Sequence, residues 1–112
     1  MKRNYKIYLE DILSSIKSIA DFTSTLTFES FSQDDKTSSA VVRKFEIIGE
    51  AVKQIPNDIK DRYPHVPWKE MAGMRDRLIH FYMGVDLQII WETIKKRLPG
   101  VKNQIEEILK DN

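Results

Sequence analysis

Residues 36 to 55 carry two apolar stripes at helical spacing, and that feature constrains the fold more than any other. Val41, Phe45, Ile48, Val52 and Ile55 recur at intervals of three and four, which places them along one side of a helix. Ala40, Ile47 and Ala51 form a second line about 100° round the axis. A helix that is apolar on two sides has to be covered by two neighbours, so this segment reads as the centre of a bundle. The same period opens the chain. Tyr5, Leu9, Ile12, Ile16 and Ile19 fall within roughly 40° of one line and predict a first helix over about residues 4–22, with Lys6, Ser14 and Lys17 on its far side.

Between these helices, the stretch from Thr23 to Ser39 is rich in Ser, Thr and Asp, broken by Phe28 and Phe31, and reads as a connection with one short helical turn. Pro56, Pro64 and Pro67 leave room for a short helix over Asn57 to Arg62 and a turn at Tyr63-Pro64-His65-Val66. Pro67 suits the first turn of the next helix, where its missing N–H costs nothing. That helix is expected to reach Met83 and to stop at Gly84 in a left-handed cap. Asp86 reads as the N-cap of a helix over 87–97, and Pro99 opens a last one that continues to about Lys110. The expected architecture is all-α, a compact helical bundle of four to six helices with short links.

With 112 residues there is room for one domain over 1–112, and little core to spare, so oligomerisation would help it. The chain has no Cys, which excludes disulfides and thiolate metal sites. Its apolar runs fall far short of the roughly 20 residues that span a bilayer. Met1 is followed by charged and polar residues rather than by a signal peptide, so the cytoplasm is the expected compartment and no membrane partner is expected. Eighteen basic against 17 acidic residues give a net charge of +1, which argues against a constitutive nucleic-acid coat protein but not against a locally basic cleft.

The chemistry concentrates in Arg75-Asp76-Arg77-Leu78-Ile79-His80-Phe81-Tyr82, where a fixed cation, a titratable imidazole and a phenol share about two helical turns. With Met71 at zero on a helical wheel, Met74, Leu78 and Tyr82 stay within about 60° of it, whereas Asp76, His80 and Met83 sit roughly 120° to 180° away. His80 is therefore expected to face away from its own core. Asp76, one turn earlier, either accepts a hydrogen bond from one ring nitrogen of His80 and fixes the tautomer, or makes a plain i,i+4 ion pair. Arg75 and His80 diverge by about 140° on one ideal helix, so two copies related by a twofold axis would bring both residue types into one cleft more readily than one copy. Arg77 reads equally as a phosphate contact or as simple solvation. His65 reads as a loop residue, and without a second ligand at metal spacing no metal site is expected.

The spacing Arg-x-x-x-x-His-x-Tyr resembles the signature of the HEPN superfamily, with the added Tyr of its HepT branch. Further residues fall in HepT order: Tyr8 to Ile12, Arg43, Glu46 to Ala51, Val66-Pro67-Trp68, Ala72-Gly73-Met74, Val85-Asp86 and Trp91. The resemblance therefore covers nearly the whole chain. It implies a single HEPN-like, HepT-like domain that forms a twofold dimer with a composite site, and the activity of a small ribonuclease toxin. By the same similarity, Tyr82 is where an MNT-type nucleotidyltransferase antitoxin would attach AMP. Arg43, Glu46, Glu50 and Lys53 share one side of the central helix; they form a solvated ladder, or else Arg43 or Glu50 borders the active site of a dimer.

RNA carries its own nucleophile in the 2'-OH, so a nuclease needs no metal or cofactor if it supplies a base, an acid and a cation for the phosphorane. His80 can fill either proton-transfer role, with two available in a dimer. Arg75 matches phosphate oxygens in a two-pronged fork. The expected products are a 2',3'-cyclic phosphate and a 5'-hydroxyl. The leading expectation is thus a metal-independent endoribonuclease, the toxin of a toxin–antitoxin pair, with RNA as substrate and the nucleotidyltransferase as protein partner. Two others stand beside it: a non-catalytic helical dimer that regulates that nucleotidyltransferase, and a nucleotide-binding bundle.

Overall fold

A computed structural model describes residues 4–80 and 86–112, with residues 78–80 described by backbone alone. Among them the chain forms seven helices and no strand: α1 (Tyr5–Thr23), α2 (Phe28–Gln33), α3 (Asp35–Gln54), α4 (Asn57–Arg62), α5 (Trp68–His80), α6 (Leu87–Lys96) and α7 (Leu98–Asp111). The all-α expectation holds, but seven helices exceed the expected four to six. The expected end of α5 at Met83 and Gly84 lies outside the described residues.

The extra helix is α2, in the segment expected to be mostly connection. Its Ser, Thr and Asp residues act as caps. The Thr27 hydroxyl accepts from the Ser30 amide at 3.1 Å while Ser30 Oγ accepts from the Thr27 amide at 2.9 Å, a reciprocal capping box. Seven residues after Thr27, Asp34 accepts from the Thr37 amide at 3.0 Å and starts α3. The hydrogen bonds from Thr37 hold the Asp34 carboxyl below its usual range. Phe31 supplies the tertiary hold: it is fully buried, 5.2 Å from the Trp91 ring of α6.

α3 is the central helix, as its two stripes require. It packs on α1 and α5; α1 also packs on α7, and α6 rests on α7 and α2. Val41, Phe45, Ile48, Val52 and Ile55 are all buried, as are Leu9, Ile12, Ile16 and Ile19 of α1. Side chains of this kind contribute about 1.5–3 kcal/mol each when fully buried. The second stripe is less covered, with Ala51 buried but Ala40 and Ile47 only half-buried. Asp86 caps α6 as expected, accepting from the Gln88 and Ile89 amides, and Pro99 sits in the first turn of α7.

Two contacts fix where α5 begins. Trp68 is buried and its Nε1 donates to the Tyr63 carbonyl at 3.0 Å, across the proline turn. The Pro67 carbonyl accepts from the Met71 amide at 3.0 Å, so Pro67 lies just before the first helical residue. No helix among the described residues is long and apolar enough to cross a membrane.

Candidate active site

The site is built where α5 crosses α3 at Gly49. A Cβ on Gly49 would lie 2.2 Å from Arg75 Cβ, 3.0 Å from Arg75 Cγ and 3.3 Å from the Met71 carbonyl oxygen. Only a residue without a side chain permits that approach. A glycine inside a twenty-residue helix costs about 1 kcal/mol relative to alanine, and here the closeness of the two helices is what it serves.

The close crossing pins the stem of Arg75. Its side chain is 28% exposed, and Nε is buried without a hydrogen-bond partner among the described residues. The guanidinium tip is left to emerge at the edge of the crossing between two carboxylates. Nη2 donates to Glu50 Oε2 at 3.5 Å and Nη1 to Asp76 Oδ1 at 3.4 Å. Both distances are at the long limit of hydrogen bonding, so they orient the cation more than they occupy it.

Asp76 Oδ1 is shared. It also accepts from Lys53 Nζ of α3 at 3.0 Å. That bond is the first cause holding the Asp76 carboxyl below its usual range; Arg75 adds to it, and desolvation opposes it. Glu50, Arg75, Asp76 and Lys53 thus form an alternating chain of charges across the two helices. Exposed pairs of this kind contribute about 0–1 kcal/mol to stability, so the value of the chain lies in geometry.

The four charged residues on this side of α3 divide into two pairs. Arg43 and Glu46 pair along the helix at 3.4 Å, as a solvated ladder would have it. Glu50 and Lys53 instead reach across to α5, Glu50 to Arg75 and Lys53 to Asp76. Among the described side chains Asp76 pairs with Lys53 and with its chain neighbour Arg75, and its i+4 neighbour His80 lies outside them. Lys53 is the residue whose part the sequence reading did not assign, Glu50 having been one of its two candidates on α3 for the border of the site. The signal was present in one place: a lone glycine in the middle of a long amphipathic helix, followed at once by Glu50 and three residues later by Lys53.

Arg77 lies elsewhere. It is exposed and lines a cavity of about 320 Å³ between α3, α5, α6 and α7, together with Phe45, Ile48, Met71, Met74 and Arg97. Arg97 is paired with Glu70 at 3.6 Å. His65 is an exposed turn residue set edgewise to Tyr63, as expected. His80 is the last described residue of α5, and its imidazole lies outside the described side chains; Tyr82 lies outside the described residues altogether.

What can be done at Arg75 is anion binding. Its guanidinium is permanently charged, partly exposed and held by its buried stem, five residues before a histidine on the same helix. The profile of the ribonuclease HepT-like family matches residues 12–108. The chain belongs to that family. It is 52% identical over 110 residues to "Probable ribonuclease HepT" of Thermococcus cleftensis, covering 98% of this chain and 100% of that protein. Two proteins of Methanocaldococcus jannaschii whose names class them as RNases are 48% and 50% identical over 110 residues, covering 98% of this chain and 91% and 95% of theirs. No solved structure matches. Membership in the HepT-like family agrees with the resemblance carried by Arg75, His80 and Tyr82.

Proposed function

We propose that this chain is a metal-independent endoribonuclease of the HepT type, the toxin of a toxin–antitoxin pair, acting in the cytoplasm. The observation that carries the reading is the pinned, partly exposed Arg75 guanidinium on the helix that also carries His80, in a member of the ribonuclease HepT-like family. Arg75 takes the phosphate and stabilises the phosphorane. His80 moves the proton at the 2'-oxygen or at the leaving 5'-oxygen, and a second His80 takes the other role in a twofold dimer. Asp76 keeps the cationic tip in place. Arg77 is assigned to phosphate contacts further along the RNA.

A dimer is supported by the incomplete cover of α5. Of its described side chains Trp68 alone is buried, while Met71, Ala72 and Met74 are half-covered and Asp76 and Arg77 exposed. An apolar helix face left half-covered is completed by a second copy, and twofold symmetry would set two motif helices side by side. Tyr82 is the site of control, modified with AMP by a nucleotidyltransferase antitoxin.

The test is incubation of the protein with total RNA in the presence of a chelator, followed by end-group analysis. Cleavage leaving 2',3'-cyclic phosphate and 5'-hydroxyl ends is expected, lost in Arg75→Ala and His80→Ala with the helical circular-dichroism signal retained. Strict dependence on added metal, or full activity of His80→Ala, would remove the mechanism.

A further inference from the structure

The least expected member of the charge chain is Lys53. Its contact with Asp76, at 3.0 Å, is shorter than the other two ion pairs of that chain, at 3.4 and 3.5 Å, and it joins two helices rather than two turns of one. It is also directed at the one carboxylate oxygen that receives Arg75 Nη1.

Arg75 has several torsions, but most are already settled. Its Cβ and Cγ are wedged against Gly49 and its Nε is buried, so packing fixes the stem. What remains is the aim of the terminal fork, set by the acceptors at Nη1 and Nη2. Glu50 provides one from α3. Asp76 provides the other, but it is an exposed side chain on a helix surface with alternative rotamers of similar energy. A carboxylate free to turn cannot aim its neighbour. The ammonium of Lys53 removes that freedom by holding Oδ1 from the opposite helix, and by drawing negative charge to itself it weakens the grip of Asp76 on the guanidinium, leaving it free to accept a phosphate.

We propose that Lys53 is a positioning residue for Arg75, acting through Asp76, so that the cation of the cleavage site is aimed from α3 as well as from its own helix. The inference rests on the nuclease reading above. It predicts a particular kind of defect. Lys53→Met keeps the length of the side chain and much of its packing but removes the charge and the donor; the variant should fold normally, since both partners are well exposed. Its kcat for RNA cleavage should fall about tenfold with KM little changed, because a misaimed cation is felt most in the transition state. Lys53→Arg restores a donor and should recover most of the rate. If the effect passes through Asp76, adding Lys53→Met to Asp76→Asn should cost nothing further.

The experiment is steady-state cleavage of one RNA by these variants, with Arg75→Ala as control, alongside ¹⁵N NMR of the Arg75 guanidinium. In the wild type, rotation about the Nε–Cζ bond should be hindered and the Nη signals separate; in Lys53→Met they should merge, and in Lys53→Arg separate again. Wild-type kcat in Lys53→Met beside an inactive Arg75→Ala overturns the proposal and leaves the nuclease reading standing. Full activity of Arg75→Ala overturns both. Unchanged Nη signals in Lys53→Met overturn the positioning role whatever the protein does to RNA.

Discussion

Gly49 and Arg75 meet so closely that a methyl group on the glycine would lie 2.2 Å from the arginine's Cβ. The atom in the way is next to the main chain, not the far end of a flexible side chain, so it cannot turn aside. Helix α5 would have to lift from α3 as a body, taking the motif with it.

Gly49→Ala therefore sets two effects against each other. Alanine favours a helix interior by about 1 kcal/mol. Overpacking a tight crossing costs about 1–3 kcal/mol, and the contact here is at the severe end. The expected outcome in urea denaturation is a net loss of stability, with RNA cleavage falling further than the unfolded fraction explains. A more stable variant with full activity would show that the crossing is looser than described.

Acid should weaken the scaffold at two named carboxyl groups. Asp34 and Asp76 both have carboxyl groups held below the ordinary value of 3.8, Asp34 by the hydrogen bonds from Thr37 and Asp76 first by that from Lys53. A carboxyl whose pKa is depressed in the folded state contributes stability that is present in full above its unfolded pKa and lost as pH falls through the folded one. Asp34→Ala should be less stable than the wild type at neutral pH, and the difference should close as pH drops below 3.8. Thermal melts of both proteins across that range check it. A difference that persisted in strong acid would mean that the cap acts by packing rather than by its charge.

The helix that the sequence hid makes a further prediction. Phe31 is fully buried against Trp91, and Trp91 in turn carries Lys95 4.7 Å above its ring. Phe31→Ala should cost about 3–5 kcal/mol, as core deletions of an aromatic ring do, and should change the Trp91 fluorescence. A surface connection with a single helical turn would tolerate the change with little loss.

That contrast shows what was legible. The helices α1, α3, α4, α6 and α7 were readable from period, proline and caps, because each has its own apolar line or its own punctuation. The short helix α2 was not, since Ser, Thr and Asp are common to loops and to helix caps, and six residues are too few to display a period. At the candidate site, Arg75 and Asp76 are proposed from their spacing, and the structure sets them side by side against α3. In the sequence Glu50 stood as one of two alternatives and Lys53 as a ladder residue only, because a ladder within one helix and a bridge between two helices use the same residues at the same intervals. Only the crossing at Gly49 distinguishes them.

Control of the site is expected at Tyr82. It follows Arg75 by seven residues, which on an ideal helix is about two turns or some 10 Å, and a phenolic oxygen is a competent acceptor for a nucleotidyl group. Attack of that oxygen on the α-phosphorus of ATP forms a phosphodiester and releases pyrophosphate, leaving an added negative charge and an adenosine. Within reach of Arg75 that charge competes directly with an RNA phosphate for the guanidinium, and the adenosine excludes the strand by bulk. A nucleotidyltransferase antitoxin with ATP and Mg²⁺ should therefore add AMP to the wild type and silence it. Tyr82→Phe lacks the acceptor oxygen, so it should remain folded and toxic and should resist neutralisation. Intact-mass measurement after the incubation decides the matter: no gain on the wild type, or the same gain on Tyr82→Phe, would place the control of this protein at another residue.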